Sequence, residues 1–309
     1  MDAGTEAFME ESDMSMVINN NLMAMNAARN LSNSFGALSV SVRRLSSGLR
    51  IGTAADDAAG MAIREIMRSD IAALNQGVRN ANDAISMLQT ADGALAVIDE
   101  KLIRMKELAE QAATGTYNSD QRLILDSEYQ AMASEITRIA NATDFNGLYL
   151  LNGNLSSSTH DGSGLTPSGK MKIHFGTAND SAEDYYYIQI GNATASALGV
   201  GNQAVAGAGF AISTQSAAQN ALDGINDAIV SKDKIRAGLG AMQNRLENTI
   251  TNLQIQAENL SASESRISDV DVALEMTNFV KQQILSQAAT AMLAQANSLP
   301  RMAMQLLGG

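Results

Sequence analysis

No residues able to carry acid–base, metal or nucleophilic chemistry stand at a working spacing in this chain. There are two histidines, His160 and His174, and no His-Glu-x-x-His pair that would put two imidazoles on one helix face. Asp269 and Asp271 stand two apart like the first ligands of a calcium loop, but the loop's Gly and closing Glu are missing. Gly207-Ala208-Gly209 neither follows a strand nor opens a βαβ unit, which argues against a dinucleotide site. The absence of cysteine removes thiolate nucleophiles, disulfides and sulfur-ligated metals together. Carboxylate pairs such as Asp56-Asp57 suit helix capping, and either residue can cap the helix that follows. The expectation is a chain that is not an enzyme and that uses no cofactor and no metal.

The chemistry that remains is that of association. In Arg44-Leu45-Ser46-Ser47-Gly48-Leu49-Arg50, Arg44 and Arg50 flank a break. Such guanidinium groups can take a partner's carboxylate in a bidentate pair. They can equally be solvated cations at the negative end of a helix dipole. The 17 methionines fall mainly on helical patterns and read as core filler or adaptable interface.

Long helices must position these groups. From Val17 to Leu49 an apolar or small residue recurs in 3–4 alternation: Val17, Asn21, Ala24, Ala28, Leu31, Phe35, Leu38, Val42, Leu45 and Leu49. Only Asn21 breaks the apolar run. Such a stripe has to be covered by another helix, and the C-terminal helix is the natural partner. After a break at Gly52 to Asp57, a second helix is expected from Ala58 to about Ala113. Its seam slips once, between Leu88, Ala91 and Leu95. Ser119 or Asp120 is expected to cap a third helix to about Ala142. Asn146-Gly147 and Asn152-Gly153 bracket a short strand. Residues 154–170 read as a surface loop, 171–175 and 185–190 as a hairpin, and 191–212 as loop with one short helix. A helix from about Thr214 to Ala262 carries the stripe Ala221, Ile225, Ala228, Ile235, Leu239, Met242, Leu246, Ile250, Leu253, Ala257 and Leu260. Ser263 or Ser268 marks a break, and a last helix covers about 270–307, bent or frayed at Pro300.

Bulk properties agree. Of 309 residues 45% are hydrophobic but only 4% aromatic, with two prolines, which suits slender helices. Net charge is -12 and the pI about 4.6, without a basic stripe, so neither nucleic acid nor a polybasic membrane contact is expected. No run reaches the ~18 apolar residues of a membrane span. The first 15 residues are acidic and hold no apolar signal-peptide core. They are either a flexible tail or lie upstream of a true start at Met14 or Met16. The fold class is mainly α: long terminal helices forming a coiled-coil rod, with a small β-hairpin region in the middle. Four parts are expected. These are a disordered acidic extension (1–15), a terminal coiled coil (16–57 with 268–309), a helical-bundle rod (58–153 with 214–267) and a variable outer segment (154–213).

Six blocks carry a family resemblance. They are Val17-Ile18-Asn19-Asn20-Asn21, Arg44-Leu45-Ser46-Ser47-Gly48-Leu49-Arg50-Ile51, Asp56-Asp57-Ala58-Ala59-Gly60-Met61-Ala62-Ile63, Asp144-Phe145-Asn146-Gly147, Gly240-Ala241-Met242-Gln243-Asn244-Arg245-Leu246 and Leu293-Ala294-Gln295-Ala296-Asn297. In this order they closely resemble bacterial flagellin, over roughly residues 16–153 and 214–307. The chain departs at Gly52, where the family usually has Asn, and a looser turn is expected there. The resemblance implies a subunit exported unfolded through the flagellar type III apparatus without a cleaved signal peptide. Outside the cell it would polymerise into the filament used for swimming. Its implied partners are other copies of itself, an export chaperone at the final helix, cap proteins and hook-associated proteins. Subunit contacts are expected from Leu31, Phe35, Leu38, Val42, Leu45, Leu49, Arg44 and Arg50 near one end, and from Met276, Val280, Ile284, Met292 and Leu293 near the other. Both ends are expected to be disordered in the monomer and to order on assembly.

Three further implications come from the resemblance alone. The segment matching Ile103 to Ala109 is recognised in many flagellins by the host's Toll-like receptor 5, with Arg104, Glu107, Leu108 and Glu128 at the matching positions. The same face can be a filament interface without host meaning. Leu306-Leu307 resembles a tail sensed inside host cells. Ser156 to Thr159 resemble O-glycan acceptors, or are an ordinary polar loop. The alternative function is a hook–filament junction protein, which shares similar terminal helices.

Overall fold

The computed structural model describes residues 21–161, 168–181, 183–201 and 210–307. The expected helix start at Val17, the acidic head and Gly207-Ala208-Gly209 lie outside them, as do the side chains of Leu306 and Leu307.

In chain order the elements are α1 (Leu22–Ser47), α2 (Ala58–Ala113), α3 (Ser119–Ala142), β1 (Asp144–Phe145), β2 (Leu148–Tyr149), β3 (His160–Asp161), β4 (Ser168–Gly169), β5 (Met171–His174), β6 (Tyr185–Ile188), α4 (Ala195–Leu198), α5 (Gln215–Ser268) and α6 (Val272–Leu307). Contacts divide the chain into a terminal unit, residues up to 66 with those from 262, and a central unit, residues 67–261.

The central unit is built on the predicted stripes. On α2, Leu74, Ala81, Leu88, Ala91, Leu95, Ile98, Leu102, Met105 and Ala109 are buried. On α5, Ala221, Ile225, Ala228, Leu239, Leu246, Leu253 and Ala257 are buried, and α3 adds Tyr129, Ala133, Ile136 and Ala140. The cap of α3 is Asn118, not Ser119 or Asp120. The Asn118 side chain accepts from Gln121 N, and the Gln121 side chain accepts from Asn118 N, a reciprocal pair that neither Ser119 nor Asp120 completes.

Among the described residues the strands form three antiparallel pairs. Asn146 (φ 53°) and Gly147 (φ 81°) make the left-handed turn between β1 and β2. The β5–β6 pair is the expected hairpin. The β3–β4 pair falls in the stretch read as loop, and two-residue strands with no apolar alternation explain why it was not legible. Gly77 of α2 lies so close to the Phe175 carbonyl that a Cβ there would overlap it. A side chain at 77 is thus incompatible with this docking of the β5–β6 hairpin.

In the terminal unit, Asn21 caps α1 by accepting from Ala24 N, and Gly48 ends the helix in the left-handed region with its N–H bonded to Arg44 O. Helix α1 therefore stops at Ser47, short of the expected Leu49. Asp57, rather than Asp56, caps α2 by accepting from Ala59 N and Gly60 N. Of the two breaks expected, at Ser263 or Ser268, helix α5 takes the second and ends at Ser268. Helix α6 is continuous through Pro300, where a bend or fraying was expected. The Ala296 carbonyl that Pro300 cannot serve accepts instead from Asn21 Nδ2 at 2.8 Å.

Candidate assembly interface

In the terminal unit α1 pairs with α6. The seam between them is more polar than the sequence stripe suggests. From α1 it takes Asn21, Ala24, Ala27, Leu31, Ser34, Leu38, Ser41 and Leu45. From α6 it takes Glu275, Phe279, Gln282, Ser286, Ala289, Leu293 and Ala296, again in 3–4 alternation. Ser41 Oγ donates to Glu275 Oε1 at 2.5 Å, and Arg44 Nη1 lies 3.7 Å from Glu275 Oε2. Both Ser41 and Glu275 are buried.

Phe35 and Val42 are therefore not seam residues within the chain. Their neighbours Ser34 and Ser41 turn inward, and Phe35 and Val42 stay 51% and 48% exposed. On α6, Met276, Val280, Ile284 and Met292 are likewise exposed, Ile284 by 59%. A helix of period 3.6 has room for one stripe against its partner; the second apolar stripe on each helix faces outward. Among the described residues, Ile51 and Ala296 are the only buried hydrophobics of the terminal unit. An open groove of about 750 Å³ runs between α1 and α6, lined by Met23, Ala27, Leu285, Ala288, Ala289 and Met292 among others.

The arginines are engaged inside the chain. Arg43 Nη2 donates to Asp56 Oδ1 at 2.8 Å, and Arg50 Nη2 donates to the Ile267 carbonyl at 2.7 Å. The backbone joins in: Arg50 N donates to Ser268 O, and Val270 N to Gly48 O. Arg44, paired with Glu275, keeps a buried Nε without a hydrogen-bond partner. Asp56 also accepts from Thr53 Oγ1, Thr53 N and Gly52 N. The Thr53 bonds, aided by the Arg43 charge, hold its carboxyl below the usual carboxylate range. This carboxylate ties down the turn at Gly52 that was expected to be loose.

The four residues matched to host recognition separate. Arg104 Nε and Nη2 donate to Glu128 Oε1 at 3.0 and 2.8 Å, and Nη1 donates to Glu107 Oε2 at 2.9 Å. All three side chains are well exposed. Leu108 is not: it is fully buried beside Met105 and Ala109 on the core side of α2, so it offers no contact surface.

A polar pair that the sequence reading missed lies in the central unit. Lys232 occupies the step between Ala228 and Ile235 in the α5 stripe and is only 2% exposed. Its Nζ lies 2.5 Å from Asp99 Oδ1 on α2 and 2.7 Å from Asp233 Oδ1. Burial pushes the ammonium down, but the bonds to Asp233 and Asp99 outweigh it and hold it above the ordinary lysine value. One turn on, Arg236 Nε donates to Asp92 Oδ1 at 2.7 Å. The gap of seven between Ala228 and Ile235 was the available signal. Among the described residues no group of three or more His, Asp or Glu is arranged to hold a metal, and no helix is long and apolar enough to cross a membrane.

Comparison with known proteins bears directly on these two helical ends. The model of the bacterial flagellin N-terminal helical region matches residues 18–156, and that of the C-terminal helical region matches residues 222–307. The flagellar filament 33 kDa core protein of Treponema phagedenis is 41% identical over 295 residues, covering 94% of this chain and all of that protein. The flagellin of Bacillus subtilis strain 168 is 41% identical over 310 residues, with the same coverage. A crystal structure of Bacillus cereus flagellin, 29% identical, covers 60% of this chain and 94% of its own with a TM-score of 0.43. These curated relatives give no support to a hook–filament junction protein. A likeness that runs through both helical ends, and along the full length of proteins that are themselves flagellins and filament core proteins, places this chain in the bacterial flagellin family.

Proposed function

We propose that this chain is the repeating structural subunit of a bacterial flagellar filament and carries no catalytic activity of its own. The observation that supports this most is the pair of uncovered apolar stripes on α1 and α6. Four such side chains, Phe35, Val42, Val280 and Ile284, are each more than two-fifths exposed. Each is already about half covered, so burying the rest gains roughly 3–6 kcal/mol in all, half of the about 1.5–3 kcal/mol that each fully exposed side chain would give. That is of the order of the cost of immobilising a subunit, so repeated contacts along both helices are needed to hold a copy in place. In this reading α1 and α6 form the subunit-contacting part, residues 58–153 with 214–267 the helical rod, and residues 154–213 the variable segment. Export through the flagellar apparatus, the chaperone, cap and hook-associated partners, and a filament outside the cell are part of the same proposal, supported by the family resemblance.

The decisive experiment is seeded polymerisation. Purified protein, depolymerised by heat and mixed with filament fragments, is expected to give long filaments in electron micrographs. Phe35→Asp with Ile284→Asp is expected to leave a soluble chain that adds to no seed. Equal polymerisation of that variant would sink the assignment of these stripes to assembly.

Arg104, Glu107 and Glu128 are the part of the receptor-recognition reading that an exposed network supports. Wild-type monomer is expected to activate a reporter cell line bearing Toll-like receptor 5, and Arg104→Ala to lower that response. No response to wild-type monomer removes this second role without touching the first.

A further inference from the structure

Among the described residues, the fully buried methionines lie in the central unit and the well-exposed ones in the terminal unit, with Met61 and Met67 half-buried. In the central unit Met87 and Met105 are fully buried, and Met132, Met171 and Met242 are partly buried against the core. In the terminal unit Met23, Met25, Met276, Met292 and Met302 are between 44% and 63% exposed. Met23 and Met292 line the groove between α1 and α6 together with Ala27, Ala288 and Ala289. A thioether is the softest nucleophile in a chain that has no cysteine to intercept an oxidant first.

We propose that these five methionines are a reversible oxidation site that controls whether a free subunit can join the filament. The inference rests on the assembly reading above. A peroxide supplies the oxidant. The sulfur lone pair attacks the terminal peroxide oxygen, an S–O bond forms and the O–O bond breaks. The departing hydroxide takes up a proton to leave as water. The sulfur is oxidised by two electrons to a sulfoxide and the peroxide is reduced. A flexible apolar side chain becomes a polar one on the faces a neighbouring copy must cover, and a sulfoxide desolvated without a donor is unfavourable there. The stereospecific sulfoxide reductases reverse the change. A neighbouring copy that covers these exposed methionines shields their sulfurs, so the site senses oxidant only before assembly.

The test uses the full chain. Monomer is exposed to hydrogen peroxide, quenched, mapped by peptide mass spectrometry and added to filament seeds. Sulfoxide is expected at Met23, Met25, Met276, Met292 and Met302, with Met87 and Met105 unmodified, and seed elongation is expected to fall at least tenfold. A mixture of both epimer-specific reductases is expected to restore it. Preformed filament given the same dose is expected to stay unmodified at these positions. The volume-conserving variant Met23→Leu with Met292→Leu is expected to retain more elongation after peroxide. Oxidised monomer that elongates at the untreated rate overturns the proposal and leaves the filament reading intact. Equal modification of filament and monomer, or modification of Met87 and Met105 alongside the rest, overturns it as well. Untreated monomer that never elongates seeds is the failure of the assembly reading itself.

Discussion

Pro300 has no N–H for the carbonyl of Ala296, four residues back in α6, and Asn21 Nδ2 fills that place from α1. Each residue is an exception when read alone: Asn21 interrupts an apolar stripe and Pro300 interrupts a helix. Together they form one contact between the two ends of the chain. Asn21→Ala removes both a helix cap and the donor to Ala296, a cost of about 2 kcal/mol per subunit. In Pro300→Ala the amide of residue 300 can serve Ala296, so the penalty of Asn21→Ala is expected to shrink to about 1 kcal/mol, the cap alone. Thermal depolymerisation of filaments in a double-mutant cycle measures this, and additive effects would refute the link. Lys232 behaves differently, because Asp99 and Asp233 both reach water when it is removed. Lys232→Met keeps the packed stem, and its denaturant midpoint is expected within about 1 kcal/mol of the parent or above it. Asp99→Ala leaves a buried ammonium with one exposed partner and is expected to be the worse of the two, by about 1–2 kcal/mol.

At the scale of elements, α2 and α5 are joined by apolar layers and by the Lys232–Asp99 and Arg236–Asp92 pairs. Arg236 holds the Asp92 carboxyl below its ordinary value of 3.8 by hydrogen bonding, against a smaller opposing effect of burial. A depressed folded value means that the pair stabilises the folded state above that pH and loses its contribution as pH falls through the lowered value. The melting temperature of the central unit is therefore expected to drop only below about pH 4, and Asp92→Asn to flatten that drop. The same slope in parent and variant would remove Asp92 from the acid response. Helix existence and the α2 and α5 stripes were legible because a 3–4 repeat over many turns has few other readings. Helix ends were less so, since Gly48 and Asn118 act through one or two hydrogen bonds that no periodicity records, whereas Asp57 was one of the two caps expected for α2. The α1–α6 seam was legible in part. Asn21, Ala24, Leu31, Leu38 and Leu45 of the expected stripe do lie in the seam, but Ser34 and Ser41 take the places that hydrophobicity gives to Phe35 and Val42. Ser41 turns inward because Glu275 accepts its hydroxyl, a contact that an apolar repeat does not record. Leu108 was carried by resemblance, and its burial depends on which side of α2 faces α3 and α5.

For the whole molecule, the uneven placement of apolar burial sets the order of folding and assembly. Nearly every buried hydrophobic side chain belongs to residues 67–261. The terminal unit has a seam made partly of Ser, Gln and Glu, and helices without a covered apolar face are marginal in water. The two units should therefore separate by stability. In isolated subunits, hydrogen exchange is expected to protect α2, α3 and α5 within the central unit, while α1 and α6 exchange many-fold faster. Assembly covers Phe35, Val42, Val280 and Ile284, and the same amides should then become protected, with a matching gain in helical circular dichroism. Removing residues 1–47 or 272–309 is expected to leave the central unit's melting temperature nearly unchanged while abolishing growth on seeds. Monomer and filament with identical helicity would mean that α1 and α6 form a stable hairpin before assembly. The exposed stripes would then be a preformed docking surface instead of one that orders as it is covered.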